Sequence, residues 1–325
     1  MGGGTGLSTL LSGLKHFVGH GNSELWLDSL SAIVTVSDDG GSSGRLRDEL
    51  QILPPGDIRN CMIALSEDST LLSRLFRYRF RGNGELGGHS FGNLFLAALA
   101  DVTGDFVEAV RLSSEVLASK GHIYPATITD VRLVAELEDG REVRGETRIT
   151  ATKSGISHLR LEPEHCVPLP DALAAIRSAD VVTIGPGSLY TSILPNLLVS
   201  QVADTIAQSN ATKIFVTNLM TQPGETDGYD AQKHLATITE YAPQIIFDCI
   251  LLNDRPITDA QAGLYAGDGA YQVKWDDRHP GINGANVVRA DLLERGDMVR
   301  HDPQRLSELV LECGVNDRAR VPLAV

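Results

Sequence analysis

The residues best suited to chemistry sit in glycine-rich turns. The chain opens Gly2-Gly3-Gly4-Thr5-Gly6 directly before an apolar helical pattern. An apolar run at 32–36 leads into Ser37-Asp38-Asp39-Gly40-Gly41-Ser42-Ser43-Gly44-Arg45, and Val181–Ile184 leads into Gly185-Pro186-Gly187-Ser188. Glycine lets backbone N–H groups approach a phosphate closely, and a helix N-terminus behind the turn adds positive potential. A single turn of this kind is as easily a tight connection, but three of them favour an anion or nucleotide site. Gly3, Gly4, Thr5, Gly6, Gly41, Ser42, Gly185, Gly187 and Ser188 are therefore candidate ligand contacts. In an open α/β sheet such turns converge on one crevice at the carboxyl ends of the strands.

Arginine placement agrees. Between Arg45 and Arg81 lie seven arginines (45, 47, 59, 74, 77, 79, 81) and five acids (48, 49, 57, 67, 68), a local balance of +2. Guanidinium forks bind phosphate bidentately. Arg45 follows Gly44, and Arg59 follows Pro54-Pro55-Gly56-Asp57-Ile58, so both are expected to face the crevice. Arg74, Arg77 and Arg81 read as a solvated helix face. Asp38-Asp39 at a strand end could hold Mg²⁺ beside ligand phosphates, cap the next helix, or accept from a ribose or base. Gly87-Gly88-His89-Ser90-Phe91-Gly92-Asn93 is a further polar turn. There His89 is an acid/base, a phosphate contact or a structural histidine.

Other chemistries fit poorly. The nine histidines contain no H-E-x-x-H pair. Ser188 lacks the G-x-S-x-G setting of a serine hydrolase. The opening glycines are not G-x-G-x-x-G, which sets a dinucleotide-dependent dehydrogenase aside.

These turns need elements to hold them. Strand-like runs at 32–36, 181–184, 213–217 and 245–252 are apolar on nearly consecutive residues, as parallel strands covered on both faces require. Helical patterns lie at 8–17, 69–78, 91–101, 106–118, 171–178, 199–208, 231–241 and 304–313. The pattern predicts an α/β fold built on a mainly parallel sheet, one domain spanning 1–325. Residues 122–162 form the exception. Thr129 to Glu138 alternates, Asp139-Gly140 supplies a two-residue turn, and a second strand is expected at 142–150, giving an inserted antiparallel β-hairpin lobe.

Composition bounds the partners. With 28 basic against 42 acidic residues, the 325-residue chain carries −14, which argues against nucleic acid or an anionic membrane as partner. No apolar run approaches the roughly 20 residues that span a bilayer. The four cysteines (61, 166, 249, 313) are dispersed, a pattern of reduced thiols rather than of a disulfide framework. A cytoplasmic protein is expected, most simply a homo-oligomer such as a dimer.

Six runs together resemble the gluconeogenesis factor proteins, a branch of the 2-phospho-L-lactate transferase (CofD-like) superfamily. They are G-G-G-T-G-L-S (2–8), V-T-V-S-D-D-G-G-S-S-G-R-L-R (34–47), L-P-P-G-D-I-R-N-C (53–61), G-H-S-F-G-N-L (88–94), G-P-G-S-L-Y-T-S-I-L-P-N-L-L (185–198) and N-L-M-T-Q-P-G-E-T-D-G-Y (218–229). The resemblance runs from residue 2 to about 313. It implies a three-layer α/β/α Rossmann-like fold and a protein that binds UDP-sugars, notably UDP-N-acetylglucosamine. It further implies support of cell shape and wall synthesis during gluconeogenic growth. Asp57, Asn60, Asn93, Asn218 and Thr221 lie inside these runs and join the candidates. By the same resemblance Tyr265, in Y-A-G-D-G-A (265–270), would stack on the base. Arg300, in V-R-H-D (299–302), would pair with the diphosphate or sugar.

The alternative is the superfamily's Mg²⁺-assisted transfer reaction, with Asp38, Asp39 and Asp57 around the metal. No general base stands at a fixed spacing from a nucleophile, which ranks binding first. One departure stands out. Family members carry a short hydrophobic strand before G-G-G-T-G, where this chain has Met1, so a gap in the sheet and unpaired backbone groups beside Gly2–Gly6 are expected.

Overall fold

The computed structural model describes residues 1–19, 25–67, 71–152, 154–278 and 284–318. The predicted helix start at 69–70 lies outside them. Strands β1 (Ser31–Val34) and β2 (His122–Pro125) pair in parallel, with Ala32 opposite Ile123. Strands β3 (Arg132–Leu137), β4 (Glu142–Arg144) and β5 (Ile156–Glu162) make a separate antiparallel sheet in the order β4-β3-β5. Strands β6 (Val181–Ile184), β7 (Thr212–Val216), β8 (Cys249–Asn253) and β9 (Asn286–Ala290) form a parallel sheet in that order. Every residue of β8 is buried, as a strand sandwiched between helical layers must be.

Two residues join the parallel sheets. Gly2 donates its N–H to Ile33 O and accepts from Thr35 N, each at 3.1 Å. On the other side Gly185 N donates to Met1 O at 3.1 Å, and the Met1 amino nitrogen donates to Thr183 O at 2.5 Å. Asn196 Nδ2 adds a bond to Gly2 O at 3.0 Å. The backbone beside the glycine turn is therefore paired, contrary to expectation. Farther back between β1 and β6, a trough of about 660 Å³ does remain, walled by Leu7, Leu10, Ile33, Ile176, Val182 and Leu311.

The antiparallel lobe is smaller than the alternation suggests. Residues 122–125 belong to the parallel sheet, so the lobe begins at Arg132. Its turn has three residues, 138–140, with Gly140 N donating back to Leu137 O and φ +82° at Gly140. The second arm stops at Arg144 because Gly145 swings to φ +93° and the short helix Glu146–Thr150 follows. Among the described residues no helix is long and apolar enough to cross a membrane.

Helix α1 (Gly4–Leu14) carries the opening glycines into the core. Its buried Leu7, Leu10, Leu11 and Leu14 fall at helical spacing on one face. The opposite packing partner is the C-terminal helix Pro303–Arg318, whose Ser307 Oγ donates to Leu10 O at 3.3 Å. Gly13 permits that approach: a Cβ there would collide with the Pro303 carbonyl and Ser307 Oγ. Overpacking of this kind costs about 1–3 kcal/mol. Gly13→Val is accordingly expected to lower the thermal unfolding midpoint, followed by circular dichroism, by several degrees, whereas Gly267→Ala, where an added Cβ meets nothing within 4 Å, leaves it nearly unchanged.

Candidate functional site

The crevice starts where β1 ends. The glycine-serine run is helical from Gly41 onward, as the first turn of α2 (Gly41–Leu50). Ser42 points inward, buried, and its hydroxyl meets Asn93 Nδ2 at 3.1 Å and His89 Nδ1 at 2.9 Å. Asn93 can only donate from Nδ2, and the hydroxyl keeps its proton and a second acceptor site for His89 Nδ1, so the contact forms with either tautomer of the neutral imidazole. Burial, reinforced by the Arg45 guanidinium, holds His89 below its ordinary pKa, consistent with that neutral form.

Helix α3 (Gly56–Leu65) brings Arg59 alongside. Arg59 is buried, and Nη2 donates to Asn60 Oδ1 at 2.6 Å. Burial, then Arg79, lowers its pKa against the pull of Asp57 and Asp38. Arg45 does something else. It is exposed and reaches Gly87 O at 2.7 Å and Glu85 O at 3.4 Å, so it clasps the turn that carries His89.

Carboxylates form the floor. Asp57, in the first turn of α3, lies under the glycine turn at the start of α1, where the Gly4 N–H holds its pKa down. A Cβ on Gly3 would stand only 2.6 Å from Asp57 Oδ2, so the glycine turn is closed down over this side chain. Burial first, then Asp38, raises the Asp57 pKa to about 6, with Gly4 and Arg59 opposing. Asp38 Oδ1 accepts from Gly40 N at 2.8 Å. Asp39 Oδ1 takes both the N–H and the hydroxyl of Thr147 at 2.8 Å, capping the helix Glu146–Thr150. The two aspartates thus serve different elements. Among the described residues no three His, Cys, Asp or Glu side chains converge as a metal site.

Two acids join them that the motifs did not single out. Glu146 is held up to about 9 by burial, then by Asp38, Asp57 and Glu225. Glu225, 2 % exposed, is raised to about 7 by burial and eased by Thr150, whose hydroxyl donates to Oε1 at 3.2 Å. Glu225 lies in the 218–229 run, but nothing in its local sequence says it is buried. Glu146 has no motif at all.

The turns after β6 and β7 close the far side. Gly6 packs on the Pro186 carbonyl, Gly187 faces Ser192 and Gly3, and Gly4 also faces Ser192. Gln222 Nε2 donates to Ser188 Oγ at 2.6 Å. Thr221 and Tyr271 exchange two bonds, N–H to Tyr271 O at 2.7 Å and Tyr271 N–H to Thr221 Oγ1 at 2.9 Å. Val299 N donates to Tyr265 Oη at 3.1 Å, which brings Tyr265 to the segment carrying the exposed Arg300. Thr5 and Gly41 are exposed at their helix starts. Twelve buried side-chain polar atoms among the described residues lack a hydrogen-bond partner, and five belong to this crevice: Arg59 Nε, Asn93 Oδ1, Asn218 Oδ1, Gln222 Oε1 and Glu225 Oε2.

A glycine-framed crevice at the strand ends of a parallel sheet, with a guanidinium on one wall and carboxyls on the other, defines a nucleotide- or anion-handling class of α/β protein. Residues 1–293 match the family model described as 2-phospho-L-lactate transferase CofD, and the chain belongs to that family. The gluconeogenesis factor of Bacillus subtilis is 44 % identical over 312 residues, covering 96 % of each protein. That of Halalkalibacterium halodurans is 46 % identical over 312 residues, 96 % of this chain and 94 % of the other. A crystal structure of a UPF0052-family protein from Bacillus halodurans matches with TM-score 0.89 at 46 % identity, over 95 % of this chain and 97 % of that one.

The raised carboxyl pKa values give a pH signature. Folded Glu146 keeps its proton to about 9, whereas the unfolded side chain loses it near 4.5. Between those values the folded state binds more protons, so the Glu146 contribution to stability falls as pH rises. Glu146→Gln does not titrate. Urea denaturation should show the variant gaining on the parent protein from pH 5 to pH 8; a constant difference would contradict the burial of this acid.

Proposed function

We propose that this protein binds a UDP-sugar, UDP-N-acetylglucosamine in particular, and acts as a cytoplasmic, non-catalytic, homodimeric regulator of wall synthesis and cell shape under gluconeogenic growth. The observation that carries this reading is the set of five unsatisfied polar atoms in one crevice, since buried polar atoms without partners are rare and costly. They are sorted by type. Arg59 Nε offers a donor to a diphosphate. Asn218, Gln222 and Glu225 offer oxygens to the hydroxyl and amide N–H groups of a sugar. Tyr265 supplies an aromatic face for a planar base and Arg300 a fork for an anion, a division that suits their chemistry.

Calorimetric titration tests it. UDP-N-acetylglucosamine should bind the parent protein with a 1:1 stoichiometry per chain. Arg300→Ala and Tyr265→Ala should each weaken binding about tenfold or more, equal to about 1.4 kcal/mol, and at the exposed Arg300 the unfolding midpoint should stay unchanged. No heat of binding to the parent protein would remove the proposal.

A second reading, phosphoryl-linked group transfer, draws on the family match and on Glu146 and Glu225, acids able to hold a proton at neutral pH. Turnover of a nucleotide-linked substrate, lost in Glu225→Gln, would select it.

A further inference from the structure

Cys249 begins β8 in the middle of the parallel sheet, and Cys313 lies on the C-terminal helix Pro303–Arg318 that packs across it. They are 64 residues apart in sequence, yet their sulfur atoms stand 2.9 Å apart. Both side chains are buried, Cys249 at 3 % and Cys313 at 8 % exposure. A disulfide bond is about 2.05 Å long, so the two sulfurs need to close by less than about 1 Å to bond.

We propose that Cys249 and Cys313 are an oxidisable pair that forms a reversible disulfide, stapling the C-terminal helix to β8. The oxidant is of the peroxide class. The thiolate of one cysteine attacks the O–O bond, giving a sulfenic acid and releasing one water. The second thiol then attacks that sulfur, forming the S–S bond and expelling a second water. Two thiols lose two electrons and two protons, and one peroxide is reduced to two waters. Cys313 is the one oxidised first. It is the more exposed of the two, and its neighbours Leu311 and Gly314 line the trough between β1 and β6, through which a small oxidant can reach the helix.

The other cysteines do not compete. Cys61 and Cys166 are buried on other elements, and burial with the nearby Asp57 pushes the Cys61 thiol up and away from its reactive thiolate form. The staple would also act at a distance, because the same helix holds α1 through Ser307 and Gly13. Closing a loop of this length restricts the unfolded chain, so the oxidised protein should be the more stable form.

The test uses the full chain with and without hydrogen peroxide. Titratable thiols after denaturation should fall from four to two, the intact mass should fall by two hydrogens, and non-reducing peptide mapping should find the 249–313 linkage. The thermal midpoint should rise and return on reduction. Cys313→Ser and Cys249→Ala should each lose no thiol pair and show no rise. Retention of four thiols, a linkage to Cys61 or Cys166, or a mass gain of two oxygens in place of the loss would overturn the proposal. Because the thiol count and the mapping are read on the parent protein, a variant that fails to fold leaves the test intact.

Discussion

The carboxylate of Asp57 beneath the first turn of α1 is the contact around which the crevice is arranged. A helix N-terminus presents unsatisfied N–H groups and positive potential, and Asp57 answers both through Gly4. The close approach requires a residue without a Cβ at position 3. Arg59, two residues on in α3, donates to Asn60 and lies close against Gly92. The glycine turn, which would otherwise be free to hold a phosphate, has an anion of the protein's own.

That arrangement resolves an electrostatic difficulty. A chain of −14 should repel an anionic ligand, and five of its acids, Asp38, Asp39, Asp57, Glu146 and Glu225, line this crevice. Yet the acids nearest its centre are those that burial keeps protonated: Glu146 up to about 9 and Glu225 up to about 7. Near neutral pH Glu146 carries its proton and Glu225 shares one, so the local field is set more by Arg59 and the helix termini than by the formal count. Neutral carboxyls also gain an O–H donor, which lets one wall both give and accept hydrogen bonds with a hydroxylated ligand. These protonated acids are residues that the glycine motifs do not mark.

Much of the frame was legible. The run 181–184 and the helix 231–241 fall where their apolar periods put them, because a buried strand and an amphipathic helix each leave a regular trace. Asp105 caps the helix predicted from residue 106 by accepting from Val107 and Glu108 N–H groups. What escaped notice depends on tertiary contacts. Helix α2 hides in a Gly-Ser run of poor helix propensity; it is anchored farther along, where the buried Arg47 donates to Val131 O at 2.5 Å and pairs with Asp130. Strand β2 is four residues of mixed type ending in proline, too short to show a period. The partners of Arg45, the carbonyls of Glu85 and Gly87, lie 40 and 42 residues away, beyond any local pattern. The crevice residues divide in the same way: polar side chains inside motifs are marked by the sequence, and the acids raised by burial are not.

The central claim is that the external anion binds along Arg59, Ser42 and His89 while Asp57 keeps the N-terminus of α1. A crystal structure of the protein with UDP-N-acetylglucosamine tests this most directly. The account predicts the diphosphate within hydrogen-bond distance of Arg59 and the Ser42–His89 pair, with the Asp57 carboxylate still beneath the Gly4 N–H. A diphosphate seated on the Gly2–Gly6 turn, with Asp57 swung away, would contradict it.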